Sequence, residues 1–379
     1  MARFKFRRSL RFDSLEGRQM LSSVGAGPTD QQQYVLQLIN EARTNPAEAA
    51  QQVSNNITPE VSATLQYYGV NLQSALQTIS SATPQPPVAW NADLANAAQG
   101  QSQYMADNQI QSHTGANGST PQQRITAAGY TNISSSAENA YAYSTSPEEA
   151  MQAFLIDWGV PSDGHRINIQ QPGVAPQNAY TDAGVGIVQT NPNNPAFGPM
   201  VITQDFAKST NSQPQLVGAA YNDTSATGFY QPGEGQGGVQ IDAVNLQTGQ
   251  VLSTQTWDSG GYELALPAGQ YRIIASQNDT VFQTVNVTVT NVNIEQDFVL
   301  TNTWQGGTRE SAIAIATAQQ PPPPVVVAPI PPPVVAAPTP QASTPVWVVA
   351  LPNNPTTTSA QKSVLSLLAS SWSSWNAGF

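Results

Sequence analysis

Histidine occurs twice in the 379 residues, at His113 and His165, and each lies in a short polar segment. The first segment reads Gln111-Ser112-His113-Thr114 and is followed by Ser136-Ala137-Glu138-Asn139-Ala140; the second reads Gly164-His165-Arg166-Ile167-Asn168-Ile169, preceded by Phe154-Leu155-Ile156-Asp157. Two imidazoles and two carboxylates suit either of two chemistries. They can ligate a divalent metal such as zinc through His113 and His165, or work as an acid/base pair, because imidazole titrates nearest to neutral pH. No HExxH occurs, so the histidines meet only if the fold brings them together. A structural role for the same residues is also open: Glu138 bracing a loop, Asn139 holding a turn through its backbone, His165 following the turn sequence Ser162-Asp163-Gly164. Glu149 reads differently, since Ser146-Pro147-Glu148-Glu149 has the form of a capping box with proline at the first helical position.

The stretch from about Tyr34 to Phe206 resembles the CAP superfamily of cysteine-rich secretory, antigen 5 and pathogenesis-related proteins, in its bacterial form. The resemblance rests on Leu38-Ile39-Asn40-Glu41-Ala42-Arg43, on Leu94-Ala95-Asn96-Ala97-Ala98 after Val88-Ala89-Trp90-Asn91, on His113-Thr114, and on Ala137-Glu138-Asn139 where the family has Gly-Glu-Asn. Gly164-His165-Arg166-x-Asn168-Ile169 and Ala183-Gly184-Val185-Gly186-Ile187 complete it. It implies a three-layer α-β-α sandwich with a cleft tetrad of two histidines and two acids, matched here by His113, Glu138 and His165. The fourth position follows an aromatic by three residues. With Phe154 as that aromatic the acid is Asp157, one methylene shorter than the usual Glu; with Trp158 the position falls on Pro161. The first alignment is adopted. What the resemblance implies about function is an exported protein whose cleft binds a metal and a small ligand, a lipid or a peptide. A hydrolase using the same cleft is the alternative, with Ser112 or Ser162 as the nearest hydroxyls, and so is a structural or adhesive surface role with cell-surface or matrix contacts. No nucleophile elbow or glycine-rich oxyanion loop accompanies the histidines.

The elements that must position these groups read as α+β. A helix is expected over residues 31–50, broken at Asn45-Pro46, with further helical material over 58–82, an insertion relative to the smallest family members. A long helix over 92–108 leads to His113, another starts at Thr120-Pro121, and strands are expected over 184–189 and 200–206. The first domain therefore spans 31–208. A second, at 214–302, alternates short strands (239–244, 251–257, 262–266, 271–275, 281–287) with glycine turns, the rhythm of a small all-β sandwich. Gly261-Tyr262-Glu263-Leu264-Ala265-Leu266-Pro267-Ala268-Gly269 resembles prealbumin-like modules of bacterial surface proteins. Its first loop has a twelve-residue calcium-loop frame with Asp223 first, Ser225 third, Thr227 fifth and Glu234 last; two carboxylates promise weak calcium binding at most and favour a ligand-free turn.

The net charge of −11 sits with six basic residues crowded into the first 20, so the remainder is acidic enough to exclude nucleic acid as a partner. Residues 1–27 read as a targeting leader. Leu15-Glu16-Gly17-Arg18-Gln19-Met20-Leu21 resembles the Leu-Glu-Pro-Arg-x-Leu-Leu sorting signature, and export places the protein outside the cell. No long apolar run exists, so no membrane span is expected. With no cysteine, the first domain must rely on core packing, for which about 170 residues suffice. From 303 to 379 a disordered Pro-rich tail is expected, with Pro321-Pro322-Pro323-Pro324 and Pro331-Pro332-Pro333 favouring polyproline II and a short amphipathic helix within 363–379.

Overall fold

A computed structural model describes residues 19–20, 27–191, 197–300 and 306–318. The runs of proline, the terminal 363–379 segment and most of the leader lie outside them.

The first domain begins after a two-residue strand β1 (Gln19–Met20) with helix α1 (Asp30–Thr44), whose N-cap Thr29 closes a capping box with Gln32. Asn45 ends α1, and Pro46 opens α2 (Pro46–Asn55) because its ring presets the first helical φ and its missing N–H was unpaired there anyway. The expected 58–82 material divides into α3 (Pro59–Tyr68) and α4 (Leu72–Ser80), separated by Gly69 in the left-handed conformation. Strand β2 (Ala89–Trp90) leads to α5 (Ala92–Asn108), capped by the Asn91 side chain, which accepts from Asp93 N and Leu94 N. Then follow α6 (Pro121–Ala128), β3 (Ile133–Ser144), α7 (Pro147–Ile156), α8 (Gly164–Gln170), β4 (Asp182–Gln189) and β5 (Met200–Ser209).

The sheet runs β2-β4-β5-β3, with β3 at its edge. Alternate residues of β5 serve opposite layers. Ile202 and Phe206 join Ala183 and Val185 in the large core under α1 and α7; Val201 and Ala207 face α5 and α6 with Leu94, Met105 and Ile125. This is the three-layer α-β-α arrangement. Gly184 and Gly186 allow α5 to lie against the sheet: a Cβ at either position would overlap the backbone of Ala95 or Ala98. Arg43, fully buried in α1, ties the layer containing α8 in place by donating to the carbonyls of Pro86 (2.8 Å), Ile169 (2.7 Å) and Tyr180 (3.2 Å). Burial draws its pKa down to about 9.

The second domain is a two-sheet β-sandwich. It contains β6 (Gln215–Tyr221), β7 (Gln240–Asn245), β8 (Val251–Gln255), β9 (Gly261–Ala265), β10 (Gly269–Gln277), β11 (Thr280–Val289), β12 (Ile294–Glu295) and β13 (Phe298–Val299). One sheet runs β1-β8-β7-β10-β11; in the other β6 is paired by β12, β13 and β9. Leu216, Ile241, Tyr262, Ile273 and Phe298 fill the space between them.

Two boundaries differ from the sequence reading. Gln19–Met20 pairs with Leu252 and Ser253 of β8, so the expected leader contributes backbone to the sandwich. The low-complexity tail expected from 303 begins later: α9 (Arg309–Ala318) packs Ala312, Ile313 and Ala316 on Val244, Ile274 and Val281. Arg309 anchors it, both of its donors meeting the buried Asp242 carboxylate at 2.5 and 2.6 Å. Its alanine-rich sequence hides a helix whose apolar stripe gains its stability from docking.

Candidate functional site

Glu138 and Asn139 are neighbours on β3, so their side chains leave the strand on opposite faces, and two histidine pairs form around that edge strand. On the α5–α6 face, Glu138 is held at 1% side-chain exposure. Its Oε1 accepts from His113 Nδ1 at 2.9 Å and its Oε2 from Arg124 Nη2 at 2.5 Å. Arg124 rides on α6, fixed by the Thr120–Gln123 capping box, and also donates to Ser119 O at 2.8 Å. His113 sits in the connection between α5 and α6 with about half of its side chain exposed.

Asp205 stands directly opposite Glu138 in the β3–β5 register and is completely buried. Burial, then the charge of Glu138, push its carboxyl well above the ordinary range, while Arg124 pulls the other way. Among the described residues neither Asp205 oxygen has a hydrogen-bond partner, and the raised carboxyl, facing Glu138 across the strand pair, favours the protonated form.

On the α7–α8 face, Asp157 ends α7 at φ 63°, in the left-handed region. Its Oδ1 accepts from His165 Nδ1 at 2.6 Å, and its Oδ2 accepts the backbone N–H groups of His165 (2.9 Å) and Arg166 (3.1 Å). The carboxylate therefore orients the ring and also satisfies the unpaired donors at the start of α8. Asp157 reaches His165 despite its short side chain because α7 and α8 abut at this turn. The expected turn at His165 is the first turn of α8. Asn139 Nδ2 donates to His165 O at 3.2 Å, and Asn168 Nδ2 donates to Asn139 Oδ1 at 2.9 Å and to Glu138 O at 3.4 Å.

The four sequence-selected residues are thus arranged as two pairs, His113–Glu138 and His165–Asp157, coupled through the 138–139 backbone and the Asn139–Asn168 bridge. No hydrogen bond joins one pair directly to the other among the described residues. A carboxylate accepts only, so each Nδ1 carries a hydrogen, and in the neutral ring the lone pair is then on Nε2. Among the described residues no group of three or more His, Cys, Asp or Glu side chains has metal-holding geometry. The donor set falls short of a resident zinc centre, which takes three or four protein ligands. What remains for a cation is the imidazole Nε2 atoms, each backed by a carboxylate in the way metal-binding histidines are. Neither candidate hydroxyl is paired with a histidine; Ser112 Oγ is occupied in its own turn, donating to Thr114 O (3.1 Å) and accepting from Thr114 N (2.9 Å).

The calcium-loop frame is self-contained. Asp223 accepts from Thr227 N (2.9 Å) and Gly228 N (3.1 Å), and Glu234 from Ser225 N (2.8 Å), Thr224 Oγ1 (3.0 Å) and Gln231 N (3.0 Å). Burial opposes ionisation of Glu234, but the Ser225, Thr224 and Gln231 donors outweigh it and hold the carboxyl below its usual range. Ser225 and Thr227 bond each other at 3.2 Å.

Sequence reasoning missed Arg124 and Asp205. The available signal was the acid inside the apolar strand Met200–Phe206, in phase with Val201 and Thr203 and therefore facing a buried layer. It also named no strand over Ser136–Asn139, where the structure has the edge strand that carries the site.

Residues 36–206 match the family model described as CAP, the cysteine-rich secretory protein family, and form a CAP domain. No curated protein sequence matches the chain. Among solved structures, an extracellular protein containing an SCP domain from Bacillus anthracis str. Ames is similar at 22% identity and a TM-score of 0.26, over 40% of this chain and 44% of that one. An outer surface protein from Borrelia burgdorferi is similar at 17% identity and a TM-score of 0.25, over 32% of this chain and 77% of that one. The major pilin subunit of Bacillus cereus is similar at 9% identity and a TM-score of 0.17, over 26% and 42%. The chain thus spans less than half of the length of the first of these. No helix among the described residues is long and apolar enough to cross a membrane.

Proposed function

We propose that the CAP domain is an exported binding module. Its contact site is the groove lined by His165 of the His165–Asp157 pair, and it takes a small ligand, a lipid or a peptide. A divalent cation is an accessory ligand, held through imidazole Nε2 and completed by water or by the bound molecule, and not a resident cofactor. The observation that carries this reading is that both rings are oriented through Nδ1 by buried carboxylates, which leaves Nε2 as the group on offer. Export is supported by the basic leader and by the secretory family that residues 36–206 match.

The hydrolase reading lacks its chemical parts. Among the described residues neither Ser112 nor Ser162 is hydrogen-bonded to a histidine, and a histidine–carboxylate pair without a positioned nucleophile lacks a part that acyl transfer needs. Calorimetric titration of the full chain with Zn²⁺ or Ni²⁺ tests the cation. Affinity is expected to fall as pH drops from about 8 to about 5, since a protonated imidazole has no lone pair to give. Equal binding by wild type and the His113→Ala/His165→Ala variant contradicts it.

A further inference from the structure

The exposed aromatic side chains of the described residues are not scattered. Tyr67 (83% exposed), Tyr68 (52%) and Tyr143 (46%) are the aromatic members of the exposed large hydrophobics, and all three line one half-open groove of about 590 Å³ beside His165. That volume lies in the range of small-molecule sites, about 300–1,000 Å³. Clustered exposed aromatics of this kind mark a contact surface. The groove is walled on one side by α3 and on the other by β3, the end of α7 and the Trp158–Val160 turn.

The rings meet edge to face: Tyr67 on Tyr68 at 5.0 Å and 87°, Tyr141 on Tyr143 at 6.0 Å and 68°, Tyr141 on Trp158 at 6.3 Å and 78°. Perpendicular rings leave flat faces on adjoining walls. Gly159, at φ +77°, admits the Tyr68 ring against the turn, where a Cβ would press on it. Burial, then Glu149, push the Tyr141 hydroxyl up to about 12, so it stays neutral.

The chemistry of the lining narrows the occupant. No Asp, Glu, Lys or Arg faces the groove, and its one ionisable group besides the tyrosines, His165, already has Nδ1 on Asp157. An ionic ligand would be desolvated there with no counter-charge. An acyl chain gains nothing from walls tipped with tyrosine hydroxyls and open to water. A polyproline segment stacks on aromatic grooves, but proline has no N–H to give to the His165 Nε2 lone pair. A sugar ring meets every requirement: an apolar C–H face for the tyrosines, hydroxyls that both donate and accept, and no charge. Gln111 adds a polar group at the rim; its Oε1 accepts from Ala142 N at 3.0 Å across the β3 edge, and its amide hydrogens remain for a ligand oxygen.

We propose that this groove binds a neutral oligosaccharide, with Tyr67, Tyr68 and Tyr143 stacking on sugar C–H faces and His165 Nε2 accepting from a sugar hydroxyl. The inference rests on the reading of the CAP domain as a binding module and names the ligand class of that site. The test is calorimetric titration of the full chain with cellohexaose, chitohexaose and mannohexaose, with a proline decapeptide alongside and Zn²⁺ titrated separately. At least one hexaose is expected to bind saturably. The Tyr67→Ala/Tyr143→Ala variant, whose side chains are exposed and whose fold is checked by circular dichroism, should bind it roughly tenfold more weakly, as the loss of two aromatic contacts implies. Tyr67→Phe should bind like wild type. Binding by none of the three sugars, binding untouched by the double variant, or binding of the proline peptide alone overturns the sugar assignment. If Zn²⁺ still binds in that case, the binding-module reading survives without it; if neither sugar nor Zn²⁺ binds, both fall.

Discussion

Replacing Glu263 by Gln should flatten the pH dependence of stability. Glu263 lies on β9, opposite Val217 of β6, and its Oε2 is sealed from solvent without a partner. Burial, and then the charge of Asp182 on β4, raise its carboxyl from 4.5 to about 8. Between those values the folded protein holds a proton that the unfolded chain has released. Stability is therefore full below the unfolded pKa, declines as pH climbs through the window, and is flat above about pH 8. A shift of that size converts to a ceiling of about 5 kcal/mol at 1.36 kcal/mol per unit, and relaxation and water entry bring the expected effect to about 2–3 kcal/mol. Against a total of about 5–15 kcal/mol this is readily measured. Glu41, raised to about 7 by burial and then by Glu48, and Asp297, raised to about 6 by burial against the Ala219 N–H, act in the same direction and persist in the variant. The assay is urea unfolding of both proteins at steps of pH. The two should agree near pH 4.5 and diverge upward, with Glu263→Gln the more stable at alkaline pH. Parallel profiles for the two proteins would refute the reasoning.

Asp205→Asn keeps a donor toward Glu138 and should cost about 1 kcal/mol, whereas Asp205→Leu removes the donor and should cost about 2–3 kcal/mol by urea unfolding; equal losses would contradict a protonated Asp205. Calcium is expected to leave the melting temperature unchanged, because the carboxylates of Asp223 and Glu234 are already taken by their own loop, and a saturable rise would show that the loop opens to take the ion. Generic peptidase substrates should show no turnover above background; activity lost in both His113→Ala and Glu138→Ala, with circular dichroism intact, would instead establish the hydrolase.

The histidines and their acids were picked out through short motifs that resemble the family's, and the fold sets each ring beside its acid. Asp157 required a choice between two aromatic anchors, and its place at the end of α7, with its carboxylate on His165, follows from taking Phe154 as that anchor. Strands β7 to β11 carry their alternation in the sequence, as does the Asn91 cap that starts α5. Strand β3 was not legible. Its opening Ile133-Ser134-Ser135-Ser136-Ala137 is small and polar, and only pairing with β5 makes it a strand. Arg124 and Asp205 escaped for the same reason: their partner, Glu138, is reached across the tertiary fold and not along the chain. The two-residue strands β12 and β13 are too short to show a period, and α9 looks like low-complexity chain until its stripe is seen docked on Val244 and Ile274.

The central claim is that two carboxylate-oriented imidazoles present Nε2 to a ligand. With only two histidines in the chain, ¹⁵N-edited NMR of the rings reads it directly. At about pH 8, above the range in which histidine ordinarily titrates, both rings are expected with hydrogen on Nδ1 and a bare Nε2, and both Nε2 signals should move as Zn²⁺ is added. A ring with its hydrogen on Nε2, or Nε2 signals that stay fixed through the titration, would contradict the account.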